Sequence, residues 1–508
     1  MAQLSLYRYR PIAALLGEHE ELERQEIYLA AADEMNDPME GYKDVFWQGD
    51  GVLWRNFFRH YLRCLSETMI ELLLCDDAAA QTIKIPVRTR DVDLPSQKAR
   101  ETISKATATF LAHPIVASVL VHLAKVKVPL RRDAVRFYLW RVHPIAVRIV
   151  SAEFASRGFV PPPAEEAPAD RQEAATAYLL KQVEDLADRG DSTTEEFEAV
   201  FEMLTHNTDQ IHLRFLHQSR AAPISSKKMF LGVQFVQRYL TETIDLLIHP
   251  GWFTACFSSN CTDASMWGTY AKGHTGAVLK FDAGPSDKPM MKLEGAFSVA
   301  SSVGQAPSII RGTHPLNLYR IEYADRAPEI DFFKFLGQLP RLEIENAWAV
   351  DDTGAKSDRL RDAYSNLDQW RRELWDVVRR SATTKLSDWS HEQEYRLFHV
   401  DSLGLIERNR TLKYQFASLK GVVFGIGTTI EDKLKIIEIL DRKCQAASRQ
   451  DFEFLQARYN RRTGKIIVVP SLIDPRVQQH AHPVQEAVDP SKQTEALAPA
   501  VGVVTTGD

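Results

Sequence analysis

The sequence has few cysteines and no large excess of charge of either sign. Its 508 residues include five cysteines, an odd number with no Cys-x-x-Cys pair, which argues against a disulfide framework or a structural zinc site. We therefore predict buried free thiols at Cys256 and Cys261 and no bound metal. The formal net charge of −6 gives no general reason to expect nucleic-acid binding.

The sequence also lacks a long hydrophobic run. Its most apolar stretch, PIVASVLVHLAKVKVPL from Pro114, contains His122 and two lysines. A helix that spans a bilayer needs about 20 apolar residues. The segment MAQLSLYRYR at the start shows no basic-then-apolar signal region. We therefore expect a cytoplasmic protein without a membrane partner.

Two kinds of hydrophobic periodicity are present. Short alternating segments towards both ends predict strands, among them LSLYRYR at Leu4–Arg10 and KIIVVP at Lys465–Pro470. From Trp54 to about Leu247 almost every segment has the helical period. These patterns predict an α+β fold, with a mixed β-sheet core built from N- and C-terminal segments and a large, mostly helical insert.

The same patterns divide the chain into segments. Residues 1–50 and 226–473 are predicted to form the α+β core, and residues 51–225 the helical insert. A proline-rich linker near residues 160–170 interrupts the insert. Residues 474–508 carry few large apolar groups and are predicted to be disordered.

The segment HEQEYRLF, from His391 to Phe398, sets two glutamates one residue apart. If the whole segment is a strand, Glu392, Glu394 and Arg396 share one face, because successive side chains point to opposite faces. Two interpretations stay open. The pair is either a reactive carboxylate with its helper or part of an ion-paired structural ladder.

The segment FGIGTT, Phe424–Thr429, lies between a predicted strand and a predicted helix. It lacks the third glycine and the Lys-Ser/Thr of a phosphate-binding loop, so a tight strand-to-helix turn is predicted. Thr428 and Glu431 have the spacing of a capping box at the start of that helix.

Seven motifs follow one another along the chain. They are LYRYR at Leu6–Arg10, MNDPMEG at Met35–Gly41, ACFSSN at Ala255–Asn260, MWGTYAKGHTGAVLKFD at Met266–Asp282, RIEY at Arg320–Tyr323, Lys385 and Trp389 ahead of EQEYR at Glu392–Arg396, and LKGVVFGIG at Leu419–Gly427. In this order they resemble the bacterial family filed as domain of unknown function 2971. The sequence departs from the family at Met35 and Met39, where aromatic residues are usual. This departure affects only the packing expected around these two residues.

The layout also resembles, role by role, the core of the ADP-ribosyltransferases. That core has a basic residue on its first strand, a serine or tyrosine on a middle strand and a glutamate on a late strand. These roles would fall to Arg8, to Ser258 or Tyr270, and to Glu394. The spacing of Glu392 and Glu394 resembles the paired glutamates of transferases that modify arginine.

This second resemblance implies NAD as the substrate. Loss of nicotinamide passes through an oxocarbenium-like sugar cation, which Glu394 would stabilise. Arg8 would hold the pyrophosphate with two parallel hydrogen bonds, and Ser258 would orient Glu394. Glu392 would activate the acceptor. The implied nucleotide-binding set is Arg8, Tyr9, Tyr270, His274 and Arg396.

Structural alternatives stay open for these residues. Arg8 could be one more counter-ion of the strand charges. Ser258 could end a strand or cap a turn. Tyr270, near a helix start after Ser265, suits core packing, and His274 suits a polar contact at a glycine-bounded turn.

Two functions follow from these alternatives. The first is an ADP-ribosyltransferase-like enzyme that cleaves NAD and transfers ADP-ribose to a protein, nucleic-acid or small-molecule acceptor. Families of this kind tend to act as toxins or antiphage effectors. The second is a non-catalytic sensor or interaction module of a defence system, in which the same charges hold the sheet together. The enzyme requires Arg8, Ser258 and Glu394 to line one concave pocket.

Overall fold

The computed structural model describes most of the chain. The described residues are 2–37, 39–86, 94, 96–161, 169–188, 194–218, 224–248, 251–300, 308–336, 339–400 and 410–471. The predicted disordered tail at 474–508 lies outside them, as do residues 162–168 of the predicted linker.

Strands and helices are distributed along the whole described chain. The strands are β1 Gln3–Arg10, β2 Glu26–Tyr28, β3 Ala30–Ala31, β4 Asp44–Trp47, β5 Leu130–Arg131, β6 Trp252–Ser258, β7 Ala277–Pro285, β8 Met290–Ala300, β9 Ser308–Arg320, β10 Glu322–Ala324, β11 Glu329–Asp331, β12 Thr384–Leu386, β13 Glu394–Val400, β14 Thr411–Tyr414, β15 Leu419–Phe424, β16 Glu453–Asn460 and β17 Lys465–Pro470. The α-helices are α1 Ile12–Leu16, α2 Glu21–Arg24, α3 Gly51–Leu74, α4 Gln97–Ala112, α5 Pro114–Lys125, α6 Arg132–Ser156, α7 Ala169–Asp188, α8 Thr194–Gln218, α9 Ser226–Met229, α10 Phe235–Arg238, α11 Ile244–Ile248, α12 Ala264–Tyr270, α13 Arg341–Glu343, α14 Asp358–Ala363, α15 Leu367–Thr383 and α16 Ile430–Ala446.

The chain divides into two compact units. The first unit consists of Met1–Glu26, Phe257–Met291 and Lys413–Asp508. The second consists of Ile27–Cys256 and Lys292–Leu412. All five cysteines are free, but Cys256 and Cys261, which are predicted to be buried, are only partly buried.

The first unit contains a mixed sheet in the order β17, β16, β15, β7, β1. Strand β1 pairs antiparallel with β7, which places Leu6 opposite Phe281, and β7 pairs antiparallel with β15. Strands β15 and β16 are parallel, and β16 and β17 are antiparallel. A strand from the N-terminal segment thus lies in one sheet with four strands from the C-terminal segment, which confirms the predicted α+β class.

The turn between β15 and α16 is the tight connection that the sequence predicts. The N–H groups of Gly425 and Gly427 donate to the carbonyl oxygens of Gly276 and His274, at 3.0 and 2.9 Å. The predicted capping box at Thr428 is wrong by one residue. The Thr428 hydroxyl donates to the Gly276 carbonyl, and the hydroxyl of Thr429 accepts from the N–H of Asp432 and caps the helix.

The second unit contains the long helices α3 to α8, as the helical periodicity predicts. Its core is rich in aromatic rings, since Trp54 contacts Phe57 and Phe333 edge-on with centroids 5.8 and 5.3 Å apart. The Asp50 carboxylate accepts from the N–H of Leu53 at 3.0 Å and so begins α3.

Several short strand pairs accompany these helices in the second unit. Strand β13 pairs antiparallel with β9, with Arg396 opposite Tyr319. Strand β12 pairs parallel with β10, with Lys385 opposite Tyr323. The two pairs bring the ends of β10, β12 and β13 together, because the Ile321 N–H donates to the carbonyl oxygen of Glu394 at 2.9 Å.

Within the described ranges, no single helix has the length and apolar character that crossing a membrane requires. Helices α4 and α5, bent by 69° at the break between them, meet that test only as a pair, by length and composition.

Candidate functional site

Five charged side chains lie buried together in the second unit. They are Glu40, Lys385, Glu392, Glu394 and Arg396, with exposed fractions of 9%, 6%, 2%, 3% and 0%. We call this set the buried charge cluster. Charged groups are rarely buried to this degree unless they are paired, so the contacts between them decide what the cluster can do.

The start of β13 positions two members of the cluster. Glu394 is the first residue of the strand, and its N–H donates to the Tyr323 hydroxyl at 2.8 Å. Arg396 lies two residues further and therefore on the same face. Glu392 is the last residue of a 3₁₀-helix, and Gln393 has a left-handed φ of 46°. The prediction that one pleated strand carries both glutamates is therefore wrong, because the strand begins after Gln393.

Arg396 joins two carboxylates from distant parts of the sequence. Its Nε and Nη2 donate to Glu394 at 2.7 and 3.1 Å. Its Nη1 and Nη2 donate to Glu40 at 2.5 and 2.7 Å, and Nη1 also donates to the Ala382 carbonyl at 2.8 Å. These contacts use all five N–H groups of the guanidinium. No donor is left for a nucleotide in this arrangement, which favours a structural role for Arg396.

Lys385 connects the same carboxylates to Glu392. Its Nζ donates to Glu392 at 2.7 Å and lies 3.6 Å from Glu394 and 4.0 Å from Glu40. The amine also lies over the Trp389 ring, 4.4 Å from its centroid. With all groups ionised, three carboxylates face two cations, and the buried charge cluster carries one excess negative charge.

The pKa shifts of Glu394 and Lys385 favour the charged form of each group. Burial acts to raise the pKa of the Glu394 carboxyl, but the charge and hydrogen bonds of Arg396, together with Lys385, hold it below its ordinary value. Burial acts to lower the pKa of Lys385, but Glu394 and Glu392 raise it above its ordinary value. Burial and the nearby Glu394 raise the pKa of the Cys256 thiol, which keeps that group neutral.

These shifts predict a dependence of stability on pH. The folded pKa of Glu394 lies below the ordinary value of 4.5, so its contribution to the free energy of unfolding is present above pH 4.5 and is lost as the pH falls through the folded pKa. Lys385 contributes below pH 10.5 and loses its contribution as the pH rises through its raised folded pKa.

Urea unfolding from about pH 3 to about pH 7 measures the acid limb. The Glu394→Gln variant cannot take up the proton, so we expect its free energy of unfolding to fall less steeply below pH 4.5 than that of the wild type. Identical slopes for the two proteins would show that Glu394 does not contribute to acid sensitivity.

A cavity of about 270 Å³ lies beside the buried charge cluster, within the second unit. Glu40 and Lys385 line it, together with Asp37, Tyr42, Asp325 and Arg326. The Asp37 carboxylate accepts from the N–H of Met39 at 2.9 Å, which forms a turn ahead of Glu40; Pro38 lies outside the described residues. Two residues of the cluster thus belong to the cavity wall, although their side chains are only 1% (Glu40) and 4% (Lys385) exposed.

Arg8 and Ser258 lie in the first unit. Arg8 is 6% exposed, and its guanidinium lies over the Phe257 ring, 5.7 Å from the centroid. Ser258 is the last residue of β6, pairs with Tyr7 of β1, and accepts from the N–H of Asn260 at 3.0 Å. The last contact is the turn-capping arrangement considered for this serine.

The predicted aromatic and histidine residues of the first unit belong to one packed group. Tyr9 packs edge-on against Trp267 with centroids 5.3 Å apart, and its hydroxyl donates to the Asn260 carbonyl at 2.9 Å. Helix α12 begins at Ala264 rather than after Ser265 and ends at Tyr270.

His274 lies at the glycine-bounded turn that follows α12. It has a left-handed φ of 65°, and its ring is stacked on Trp267 with centroids 6.5 Å apart. Its backbone N–H donates to the Trp267 carbonyl at 3.1 Å. Trp267 therefore contacts both the main chain and the ring of His274. Tyr9 is thus a packing residue of the core, and His274 makes a contact at a glycine-bounded turn.

The structure brings together three of the predicted residues, Glu392, Glu394 and Arg396, and adds two that the sequence analysis did not select as site residues. These two are Glu40 and Lys385. Both belong to the motifs quoted above, and a charged residue within such a motif was the signal that could have identified them. The other predicted residues lie in the first unit, and convergence of Arg8 and Ser258 with Glu394 stays a prediction. Among the described residues, no group of three or more His, Cys, Asp or Glu side chains is arranged to hold a metal ion.

The comparisons with known proteins identify a family similarity. The model of a family described as "Protein of unknown function (DUF2971)" matches residues 266–397. The matched segment begins at the Met266 motif and includes Lys385, Glu392, Glu394 and Arg396, which supports the predicted resemblance over these residues. No curated protein and no solved structure matches the chain.

Proposed function

We propose that this protein is an ADP-ribosyltransferase-like enzyme that cleaves NAD and transfers ADP-ribose to an acceptor. The observation that carries the proposal is a buried charge cluster with one excess negative charge, two of whose members line a cavity. A water-poor site with fixed negative charge stabilises positive charge that develops in a transition state. Cleavage of the nicotinamide–ribose bond generates such a charge on the sugar.

The roles follow from the positions in the cluster. Of the three glutamates of the cluster, Glu40 is the one among the residues that line the cavity, so the proposal assigns the stabilisation of the sugar cation to Glu40, with Glu394 bound to the same guanidinium. The bonding electrons leave with nicotinamide, the acceptor attacks the sugar carbon, and the acceptor gives up a proton, for which Glu392 is the proposed base.

The size of the cavity suits one end of the NAD molecule. Ligand sites commonly have about 300–1,000 Å³, so a cavity of about 270 Å³ suits the nicotinamide riboside part of NAD rather than the whole dinucleotide. The acceptor is a protein side chain, a nucleic acid or a small molecule. A cytoplasmic toxin or antiphage effector is the cellular role that the resemblance suggests.

Incubation of the purified chain with labelled NAD, with and without cell lysate, tests the proposal. We expect nicotinamide release and, once an acceptor is present, label transfer in excess of hydrolysis, because a transferase site shields the sugar cation from water. Absence of NAD binding and consumption under both conditions would refute the enzyme.

A second candidate is favoured by the saturated hydrogen bonding of Arg396. In this alternative the protein is a non-catalytic sensor or interaction module, and the buried charge cluster holds β12, β13 and the Glu40 turn in register. Buried networks whose groups are all paired specify one arrangement of the chain. The labelled-NAD experiment separates the two candidates.

A further inference from the structure

Strands β16 and β17 form a hairpin that extends beyond the rest of the sheet in the first unit. They pair antiparallel from Leu455, opposite Pro470, to Asn460, opposite Lys465. Strand β15, on the other side of β16, pairs with it only as far as Gln456. The last four residues of β16 therefore pair with β17 alone, and at about 3.4 Å per residue they form a two-stranded ribbon about 14 Å long. We call residues 457–468 the ribbon.

The turn at the end of the ribbon holds two arginines at its tip. The Asn460 carbonyl accepts from the N–H of Gly464 at 2.9 Å, and the Asn460 side chain accepts from the N–H of Arg462 at 3.0 Å. Gly464 has a left-handed φ of 67°, which glycine adopts without strain. These bonds fix the main chain of the turn, while Arg461 and Arg462 are exposed.

The ribbon carries four exposed cations, which are Arg458, Arg461, Arg462 and Lys465. No ion pair or side-chain hydrogen bond joins any of the four to another residue in the part of the chain that the structure describes. Along the sequence, no Asp or Glu occurs between Glu453 and Asp474. The ribbon is therefore strongly positive, although the chain as a whole has a formal net charge of −6.

Helix α16 adds one cation and two carboxylates beside the ribbon. It contacts β16 where the Lys433 Nζ donates to the Gln456 side chain at 2.7 Å. Its first turn carries Glu431 and Asp432, and the Asp432 carboxylate accepts from the Thr429 hydroxyl. With Lys433 counted, five cations face these two carboxylates, so an excess of three positive charges remains.

An aromatic ring lies among these charges. Tyr459 is 50% exposed, and its ring is tilted by 44° against the His274 ring with centroids 6.2 Å apart, so part of the ring is open to a partner. Successive side chains of a strand point to opposite faces. Arg458 and Lys465 therefore lie on one face of the ribbon, Tyr459 lies on the other, and the turn arginines lie at the tip.

We propose that the ribbon is a binding surface for single-stranded nucleic acid. The phosphates would be held by Arg458, Arg461 and Arg462, because a guanidinium offers paired donors to phosphate oxygens. A base would lie against the Tyr459 ring. A single strand is flexible enough to follow both faces and the tip of the ribbon, whereas a duplex is stiff over this distance and a membrane surface is flat. This binding does not depend on NAD cleavage.

Fluorescence anisotropy of a labelled single strand tests the proposal, with the full chain and without NAD. The probe is an oligothymidylate of about 12 nucleotides, a length typical of single-strand binding sites. We expect a dissociation constant of about 10⁻⁶–10⁻⁴ M near physiological salt. The logarithm of the association constant should fall with the logarithm of the salt concentration with a slope of about −2 to −3, since each phosphate contact contributes about −0.7. Absence of binding, or a slope near zero, would overturn the proposal.

Single substitutions locate the binding on the ribbon. Arg458→Gln and Arg462→Gln should each weaken binding and make the salt slope shallower by about 0.7. Tyr459→Leu removes the ring but no charge, so affinity should fall roughly five-fold or more with the slope unchanged. Arg442→Gln is the matched control, because Arg442 is 59% exposed on α16 but is paired with Glu23, and it should bind as the wild type does. Equal losses in the control and in the ribbon variants would show that only net charge matters.

Two other probes separate nucleic acid from other anionic partners. An abasic strand of the same length keeps the phosphates without the bases, so it should bind more weakly and should not distinguish Tyr459→Leu from the wild type. Vesicles that contain phosphatidylserine present anionic phosphate on a flat surface and should bind more weakly than the strand. Equally tight binding of the abasic strand, or binding of the vesicles but not of the strand, would contradict a nucleic-acid partner.

The strand binding and the NAD cleavage can fail separately. Glu40→Gln should bind the strand as the wild type does, because Glu40 is not part of the ribbon. Conversely, Arg462→Gln should keep the release of nicotinamide from NAD to water. Loss of strand binding in Glu40→Gln protein that is folded by circular dichroism would count against an independent surface.

Discussion

Replacing Arg396 by glutamine is expected to lower the free energy of unfolding by about 3–5 kcal/mol. The guanidinium is fully buried and pairs with the carboxylates of Glu40 and Glu394. Without it, three buried carboxylates face the single amine of Lys385, and neither Glu40 nor Glu394 keeps its two-point contact. Urea unfolding at neutral pH measures the loss, with the wild type as reference.

The Arg24→Gln variant is the matched control for that measurement. Arg24 also makes two hydrogen bonds to one glutamate, Glu20, but both side chains are about half exposed. Exposed pairs of this kind contribute about 0–1 kcal/mol, because water screens the charges. A loss of less than about 1 kcal/mol for Arg396→Gln as well would show that the buried charge cluster is not a major source of stability.

Replacing Glu40 by glutamine is expected to reduce NAD cleavage by about 10²–10³-fold, if the proposed function is correct. Glu40 is the carboxylate of the buried charge cluster that lines the cavity, and its replacement removes the excess negative charge. The substitution also weakens the contact with Arg396. Activity should therefore be measured on protein shown to be folded at the assay temperature, as the rate of nicotinamide release.

Two further variants show whether a loss of NAD cleavage is specific to Glu40. Asp325 lines the same cavity outside the cluster, and its carboxylate accepts from the Ser387 hydroxyl at 2.6 Å. Asp325→Asn is therefore expected to keep most of the activity. Glu392→Gln should lose transfer to an acceptor more than hydrolysis, because Glu392 is the proposed base for the acceptor, whereas attacking water can release its proton to the solvent. Full activity in the Glu40 variant would remove Glu40 from the site.

The sequence predicts the elements of this fold better than it predicts the contacts of the site. The segment EYRLFHV is short and rich in β-forming residues, and strand β13 has its bounds, Glu394–Val400. Extension of this strand to Glu392 is wrong, because Ser387–Glu392 form a 3₁₀-helix. The left-handed backbone at Gln393 ends that helix, and glutamine gives no sign of that conformation.

The partners of Arg396 could not be predicted from local pattern. Glu40 is 356 positions away along the chain, and its contact with Arg396 depends on tertiary structure. Lys385 lies on β12, a strand of three residues, which is too short for its periodicity to be read. What the sequence does supply is the close spacing of Glu392, Glu394 and Arg396 in EQEYR, which points to a site of charged residues.

The pairing of β1 with β7 has a consequence for synthesis on the ribosome. Leu6 pairs with Phe281, so roughly 275 residues must be added before β1 meets its partner, and at about 5–20 residues per second this takes roughly 14–55 s. During that interval the nascent β1 has open edges that can pair with other chains. We therefore expect the newly made protein to depend on chaperones that hold its first strand, and ribosome-released fragments ending before β7 to aggregate.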